Sequence, residues 1–396
     1  MLAAKDFREE LFDSFSRRFC VVMQRLALVD CFTEIIDPRI ERTKQHLLTD
    51  ILSLSVLAVI AGAEGWEDIE DFGRQKQVWL QQFLRLPNGI PSHDTISRVF
   101  RRLKPGAFDA ALREWMESLH ESLGLTLIAI DGKTVRRSHD RRSLKTALHL
   151  VCAWSVANHL VLGQQATDVK SNEITAIPQL LKMLELDGAI VTIDAMGCQK
   201  KIARQIVNGG GDYVLAVKEN QPTLHAAIVE HFVKLQETDF ADCDARCLTT
   251  HDKAHGRQER RSYRVVPLPE SMGQFSKDWK QLTSLGQAIN VTQREGRETT
   301  EERYYILSMK PRVKRFAAAV RGHWGIENRL HWVLDMTFRE DESRIRKDHG
   351  PENFATLRRA AVGLIQRDKS KGSIKRKRKR AAWNNQALLN IIQQAT

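Results

Sequence analysis

LTLIAIDGKTVRRS (125–138) and GAIVTIDAMGCQKK (188–201) decide the fold of this chain. In each, a short apolar run with β-branched residues closes on an acid, Asp131 or Asp194. Such runs read as buried strands. Between them, TALHLVCAWSV (146–156) and HLVLGQQATD (159–168) read as two strands joined by a hairpin at Ala157-Asn158. SNEITAIPQLLKMLELD (171–187) reads as a helix capped by Ser171 or Asn172. QKKIARQIVNGG (199–210) is a further helix and DYVLAVK (212–218) a further strand. The predicted order is therefore β-β-β-α-β-α-β, an α/β class with a mixed sheet. This is the order of a ribonuclease-H-like core, with acids ending its first and fourth strands. Ligands of α/β sheets gather at strand carboxyl ends, where both acids are expected.

On the N-terminal side, residues 1–120 read as a helical region. QHLLTDILSLSVLAVIAG (45–62) is long and apolar enough for a buried helix. WEDIEDFGRQKQVWLQQFLRL (66–86) carries Ile69, Phe72, Val78, Trp79 and Phe83 at helical spacing. In PSHDTISRVFRRLKP (91–105), Ser92 is a suitable N-cap. Ile96, Val99, Phe100 and Leu103 line one face of that helix, and Arg98, Arg101 and Arg102 fall largely on the other. A fourth helix is expected over AFDAALREWMESLHESL (107–123). On the C-terminal side, residues 219–310 read as an inserted, largely β subdomain. The catalytic core is expected over 121–218 and 311–368, followed by a basic tail, 369–396.

With 396 residues, 42% of them apolar and 28% charged, the composition fits a globular protein with a sizeable core. The net charge of +12 favours a polyanionic partner, and nucleic acid is the natural one. The beginning, MLAAKDFREELFDSF, is charged from Lys5 and lacks the apolar region of a signal peptide. The longest uncharged run, 51–63, is too short to span a bilayer. A cytoplasmic, nucleoid-associated protein with reduced thiols is expected.

A third acid, Glu327, lies on the tryptophan-flanked amphipathic segment RGHWGIENRLHWVLDM (321–336). Together with Asp131 and Asp194 it would form a hard-oxygen cage for a divalent metal. Such a cage activates water or a hydroxyl against phosphodiesters. Each residue also has a plainer reading. Asp131-Gly132 is a common hairpin turn, and the residues after Asp194 also suit a turn. Glu327 shares its neighbourhood with Asp335, Glu340, Asp341 and Glu342, any of which suits a solvated helix face. Glu327, His331 and Asp335 form an i, i+4, i+8 stripe.

Lys133, Arg136 and Arg137 follow Asp131, and Arg257 with Arg260 and Arg261 follows His255. Either group suits DNA backbone contact or a solvated loop or strand edge. The run from Lys375 to Arg380 suits phosphate contact or a solvated tail. Cys243, Cys247, His251 and His255 are too closely spaced for a chain to fold around zinc as a finger does. Gly209-Gly210-Gly211 lacks the Lys-Ser/Thr of a phosphate loop and reads as a turn.

Several long motifs together resemble the H repeat-associated transposases of Rhs elements and related insertion sequences, within the DDE superfamily. They are AIDGKTVRRS, TDVKSNEITAIPQLL, TIDAMGCQKKIARQI with DYVLAVKENQ, HGRQERR and HWGIENRLHWVLDMTFREDESRIR. DPRIERTKQHLLTDIL and KGSIKRKRKRAAW are similar too, so the likeness runs from about residue 35 to near the C-terminus. The resemblance implies that Asp131, Asp194 and Glu327 are the catalytic, metal-binding triad. It also implies two Mg²⁺ ions, with Mn²⁺ as substitute, and a DNA-bound homodimer engaging element ends and target DNA. Activity would be metal-dependent strand cleavage and strand transfer. The alternatives are a nuclease, or a DNA-binding regulator derived from a transposase. Related insertion-sequence enzymes often carry Tyr, Arg, Glu and Lys around the third acid. Here those positions hold Val320, His323, Glu327 and Leu334, so the basic and aromatic companions are absent or replaced.

Overall fold

A computed structural model describes residues 27–119, 127–140, 146–167, 173–241, 243–254 and 256–393. Four helices come first: α1 (Leu48–Ala61), α2 (Trp66–Leu80), α3 (His93–Arg102) and α4 (Pro105–Ser118). The apolar run of α1 is buried along nearly its whole length. Its Asp50 is buried as well, and its carboxylate accepts from the backbone N–H of Leu86 at 2.7 Å. A buried charge of this kind survives because backbone donors satisfy it. In α3, the Ser92 hydroxyl accepts from Thr95 N–H, and Ile96, Val99 and Phe100 are buried.

The core follows the predicted order: β1 (Leu127–Thr134), β2 (His149–Ser155), β3 (Leu160–Thr167), α5 (Glu173–Leu181), β4 (Ile190–Ile193), α6 (Lys200–Asn208) and β5 (Asp212–Val217). The proposed caps of α5, Ser171 and Asn172, lie outside the described residues. Strands β3, β2 and β1 are antiparallel, while β1, β4 and β5 run parallel. This is the ribonuclease-H-like arrangement, a mixed α/β sheet.

One reading of the sequence needs correction. Asp131 does not end its strand. The parallel ladder with β4 stops at Ile130↔Ile193, but β1 continues to Thr134 along β2, with Asp131 opposite Cys152. Asp131-Gly132 is thus strand and not turn, because β2 supplies a ladder beyond the point where β4 leaves it.

Residues 219–310, read as an inserted and largely β segment, run on from the core sheet. After α7 (Pro222–Glu237), the strands β6 (Arg246–Ala254), β7 (Arg257–Pro267), β8 (Ser284–Arg294) and β9 (Arg297–Leu307) extend the core sheet, with the short α8 (Gly273–Asp278) between β7 and β8. The sheet order is β3-β2-β1-β4-β5-β9-β8-β7-β6. β9 pairs antiparallel with the open edge of β5, and Val266, Leu285 and Ile306 share a hydrophobic cluster with Ile128, Val191 and Leu215. An unpaired edge beside a buried core is costly, and the β segment removes it.

A long helix then crosses the sheet: α9 (Val313–Ile326), a π-helical turn (Glu327–His331) and α10 (Trp332–Met336). α11 (Gly350–Arg367) is buried on almost every side, between the N-terminal helices and β3. The basic run read as a tail is helix α12 (Ile374–Trp383), followed by α13 (Asn385–Gln393). Within it Lys377 and Arg378 are buried. Arg378 donates to the Val59 and Ala63 carbonyls at 3.1 and 3.4 Å, closing the end of α1, and lies 3.9 Å over the Phe338 ring. Long aliphatic stems let such cations pack, while the head groups satisfy helix-end carbonyls. Among the described residues, no single helix is long and apolar enough to cross a membrane.

Candidate functional site

Asp131 and Asp194 stand side by side at the carboxyl edge of the parallel strands, because β1 and β4 pair in register up to Ile130↔Ile193. Side chains alternate along a strand. Ile128 and Ile130 pack on the α5 and α6 face, so Ala129 and Asp131 face the opposite side, where the α9–α10 helix lies. Asp194 follows β4 in a tight turn, with one carboxylate oxygen accepting from Met196 and Gly197 N–H at 3.1 and 3.2 Å.

The π-helical turn delivers the third group. Such turns are rare in helices and gather at functional sites. Its first residue is Glu327 and its last is His331. Donor atoms of Asp131, Glu327 and His331 lie within 4.8 Å of one another. His331 Nδ1 is 3.5 Å from Asp131 Oδ2 and 3.9 Å from Glu327 Oε2. Asp194 is not part of this tightest group, but its charge acts on Asp131. His323, one turn before Glu327, is held by Thr192 of β4, whose hydroxyl lies 3.2 Å from its Nδ1.

Burial pushes the Asp131 carboxyl up to about 6. The charges of Asp194 and Glu327 push the same way, against His331 and the Gly132 N–H. Glu327 is more open, and the adjacent His331 imidazole lowers its pKa despite partial burial. Burial pushes His323 down to about 4, with the Arg303 charge assisting. Crowded acids beside an imidazole are a donor set suited to a divalent cation, which would relieve the repulsion.

Around this centre, the sequence-predicted cations fall into different environments. Lys133 is not a loop cation: it is buried and reaches Asp335 at 2.7 Å, Asp341 at 3.2 Å and Glu340 at 3.7 Å. Glu340 is itself fully buried against Arg359 at 2.9 Å. This network ties β1 to the segment after Glu327 and His331. Arg136 is exposed and pairs with Asp341 at 3.0 Å, and Arg137 is exposed beside it. Arg98 and Arg102 are exposed on α3, whereas Arg101 pairs with Asp348 at 2.7 Å. Arg257 pairs with Glu259 at 2.5 Å and lines a groove between the outer strands and α9. Arg261, Arg303 and Arg321 line the same groove, with Arg303 4.5 Å over the half-exposed Trp324 ring. Cys243, Cys247 and His251 join no group of three metal donors among the described residues, and His255 lies outside them.

His331 was visible in the sequence only as the middle of a stripe. Its place at the centre depends on the π-helical turn and on the strand facing it. Asp335, the next member of the stripe, turns instead to Lys133.

Residues 122–364 match the family described as Transposase DDE domain, and residues 29–116 match the DDE_Tnp_1-associated family. The chain is 41% identical over 375 residues to "H repeat-associated putative transposase YhhI" of Escherichia coli (strain K12), covering 93% of this chain and 98% of that protein. It is 45% identical over 254 residues to "H repeat-associated putative transposase YbfD" of the same strain, covering 64% of this chain and 99% of the relative. Among solved structures, a piggyBac transposase synaptic complex with hairpin DNA overlaps 94% of this chain and 81% of that chain, at 10% identity and a TM-score of 0.41. Full-length similarity to named relatives and a family match over most of the chain lead to one assignment: this chain belongs to the H repeat-associated group of the DDE transposase family.

Proposed function

We propose that the protein is an insertion-sequence transposase that cuts DNA at element ends and joins the freed 3′ end to target DNA. What carries this reading is the convergence of Asp131 and Glu327, far apart in sequence, within 4.8 Å, with Asp194 directly following the β4 end of the ladder that Asp131 follows in β1. Asp131, Asp194 and Glu327 are assigned as the groups that hold divalent metal, two Mg²⁺ ions with Mn²⁺ as substitute. When bound, the metal lowers the pKa of the attacking water or hydroxyl and stabilises the leaving oxygen. In the first step, water adds to phosphorus at the element end and the 3′-oxygen leaves as a hydroxyl. In the second, that hydroxyl attacks a target phosphodiester and the target's own 3′-oxygen departs.

The chain's other residues position DNA in this reading. Arg98 and Arg102 on α3, Arg136 and Arg137 beyond β1, and the groove containing Arg257 present positive charge to phosphates. Phosphate contacts of this kind set register and supply affinity. Lys133 is left out of the DNA surface because its charge is used internally.

The experiment is a cleavage and strand-transfer assay on the purified full chain with the element's terminal DNA and Mg²⁺. Wild type is expected to cut and join. Asp131→Ala and Asp194→Ala are expected to abolish both while keeping DNA binding. Cutting without joining would leave a nuclease, and binding without cutting would leave a regulator. Wild-type cleavage by either alanine variant would remove the site assignment.

A further inference from the structure

We infer that His331 is itself a metal ligand, making the centre a mixed nitrogen–oxygen site whose preference is shifted towards first-row transition dications while it still takes Mg²⁺. The inference rests on the metal-binding reading above and adds a residue that the acidic triad does not contain.

Geometry carries the argument. His331 Nδ1 is 3.5 Å from Asp131 Oδ2 and 3.9 Å from Glu327 Oε2. Both separations exceed the roughly 2.7–3.2 Å of an N–H···O hydrogen bond. Donor atoms about 2.0–2.2 Å from one shared ion, by contrast, stand on the order of 3–4 Å apart. The two separations from His331 Nδ1 therefore match the edges of a coordination sphere better than hydrogen bonds.

The imidazole is also placed to stay there. His331 is only 5% exposed, on a stretch where Leu330 and Val333 are buried too. Its Nε2 is buried and has no hydrogen-bond partner among the described residues. The ring is thus anchored by packing, and Nδ1 is the nitrogen turned towards the two acids. With the proton on Nε2, Nδ1 offers its lone pair to a cation. The other nearby histidine, His323, already has its Nδ1 engaged with the Thr192 hydroxyl.

Ligand chemistry gives the selectivity. Mg²⁺ takes oxygen donors and gives up its waters reluctantly. An imidazole nitrogen favours the transition dications, whose affinity rises along the first row. Replacing one oxygen of the cage with nitrogen shifts preference away from Mg²⁺ while the acids still accept it.

Mn²⁺ is the probe, because its unpaired electrons report directly on ligand nuclei. Electron–nuclear double resonance on the full-length protein with bound Mn²⁺ is expected to show a coordinated-nitrogen coupling. That coupling should vanish in His331→Gln and persist in His323→Gln. His331→Gln should lower Mn²⁺ affinity by about tenfold or more, the scale on which changes around a metal ligand act, with a smaller loss for Mg²⁺. Mn²⁺ bound without nitrogen coupling would overturn the role of His331 and leave an all-carboxylate centre. Coupling lost with His323 instead would overturn it too, as would equal losses for both ions. Absence of any Mn²⁺ or Mg²⁺ binding would remove the underlying metal reading as well. If His331→Gln does not fold, a coupling present in wild type and retained in His323→Gln decides the question.

Discussion

Asp131 carries the sharpest conflict in the protein at the scale of a single residue. It is a charged group pressed into a nearly closed site with two other acids acting on it. A carboxyl raised from 3.8 to about 6 favours the folded state while protonated and opposes it once ionised. The sign follows directly: without divalent metal, its penalty is absent below about pH 4, grows between about pH 4 and 6 and is complete by about pH 7. Asp131→Asn should therefore raise the melting stability of metal-free protein at pH 8, by about 2–3 kcal/mol, and change it little at pH 4. Thermal melts at both pH values check this. The same proton competes with metal, so divalent-ion affinity should fall as pH drops through about 6.

Glu327 and Asp335 make a second comparison at this scale. Glu327 meets Asp131 through His331, whereas Asp335 is tied to Lys133. Glu327→Gln is expected to reduce Mg²⁺-dependent cleavage by about two orders of magnitude, the scale of a strong electrostatic contributor. Asp335→Asn should be milder. The reverse ranking would move the third acid to Asp335.

Among the elements, β1 matters most because it is loaded on both faces. Asp131 and Lys133 face the α9–α10 side, and Gly132 faces the other. A Cβ at Gly132 would collide with Glu173 Oε1 and stand 2.6 Å from His149 Nε2, which are themselves a buried pair at 2.7 Å. Gly132→Ala should destabilise the fold by about 1–3 kcal/mol, the usual cost of forcing atoms into a packed interior. A denaturant melt measures it, and an unchanged midpoint would mean the pair moves aside freely. The charged network past β1 behaves differently. Glu340→Gln would leave Arg359 and Lys133 without their shared buried counter-charge. Breaking such a pair from one side should cost about 3–5 kcal/mol, read in the same melt.

Over the whole molecule, charge and topology act together. The basic residues divide into internal ones, such as Lys133, Arg359 and Arg378, and outward ones, such as Arg98, Arg102 and Arg136. Only the outward set can meet phosphate. DNA affinity should therefore fall steeply with salt, and the double variant Arg98→Ala with Arg102→Ala should flatten that slope. An unchanged slope in a titration against salt would place the DNA elsewhere than α3.

The sequence by itself determined the order of core elements, because apolar runs of strand and helix length are local properties of the chain. It also determined which acids follow the paired ends of β1 and β4, since Asp131 and Asp194 directly follow those runs. The family was legible too, in motifs spread over most of the chain. Tertiary structure alone decided the rest. Whether Asp131 ends a strand depends on how far β2 accompanies β1. Whether the outer β segment stands apart depends on the open edge of β5. A lysine or arginine carries the same charge in the sequence wherever it lies, and only packing shows that Lys133 and Arg378 face inward. His331 enters the centre for the same reason: its distance from Asp131 is set by a helix laid across the sheet, a relation between remote segments that no local pattern encodes.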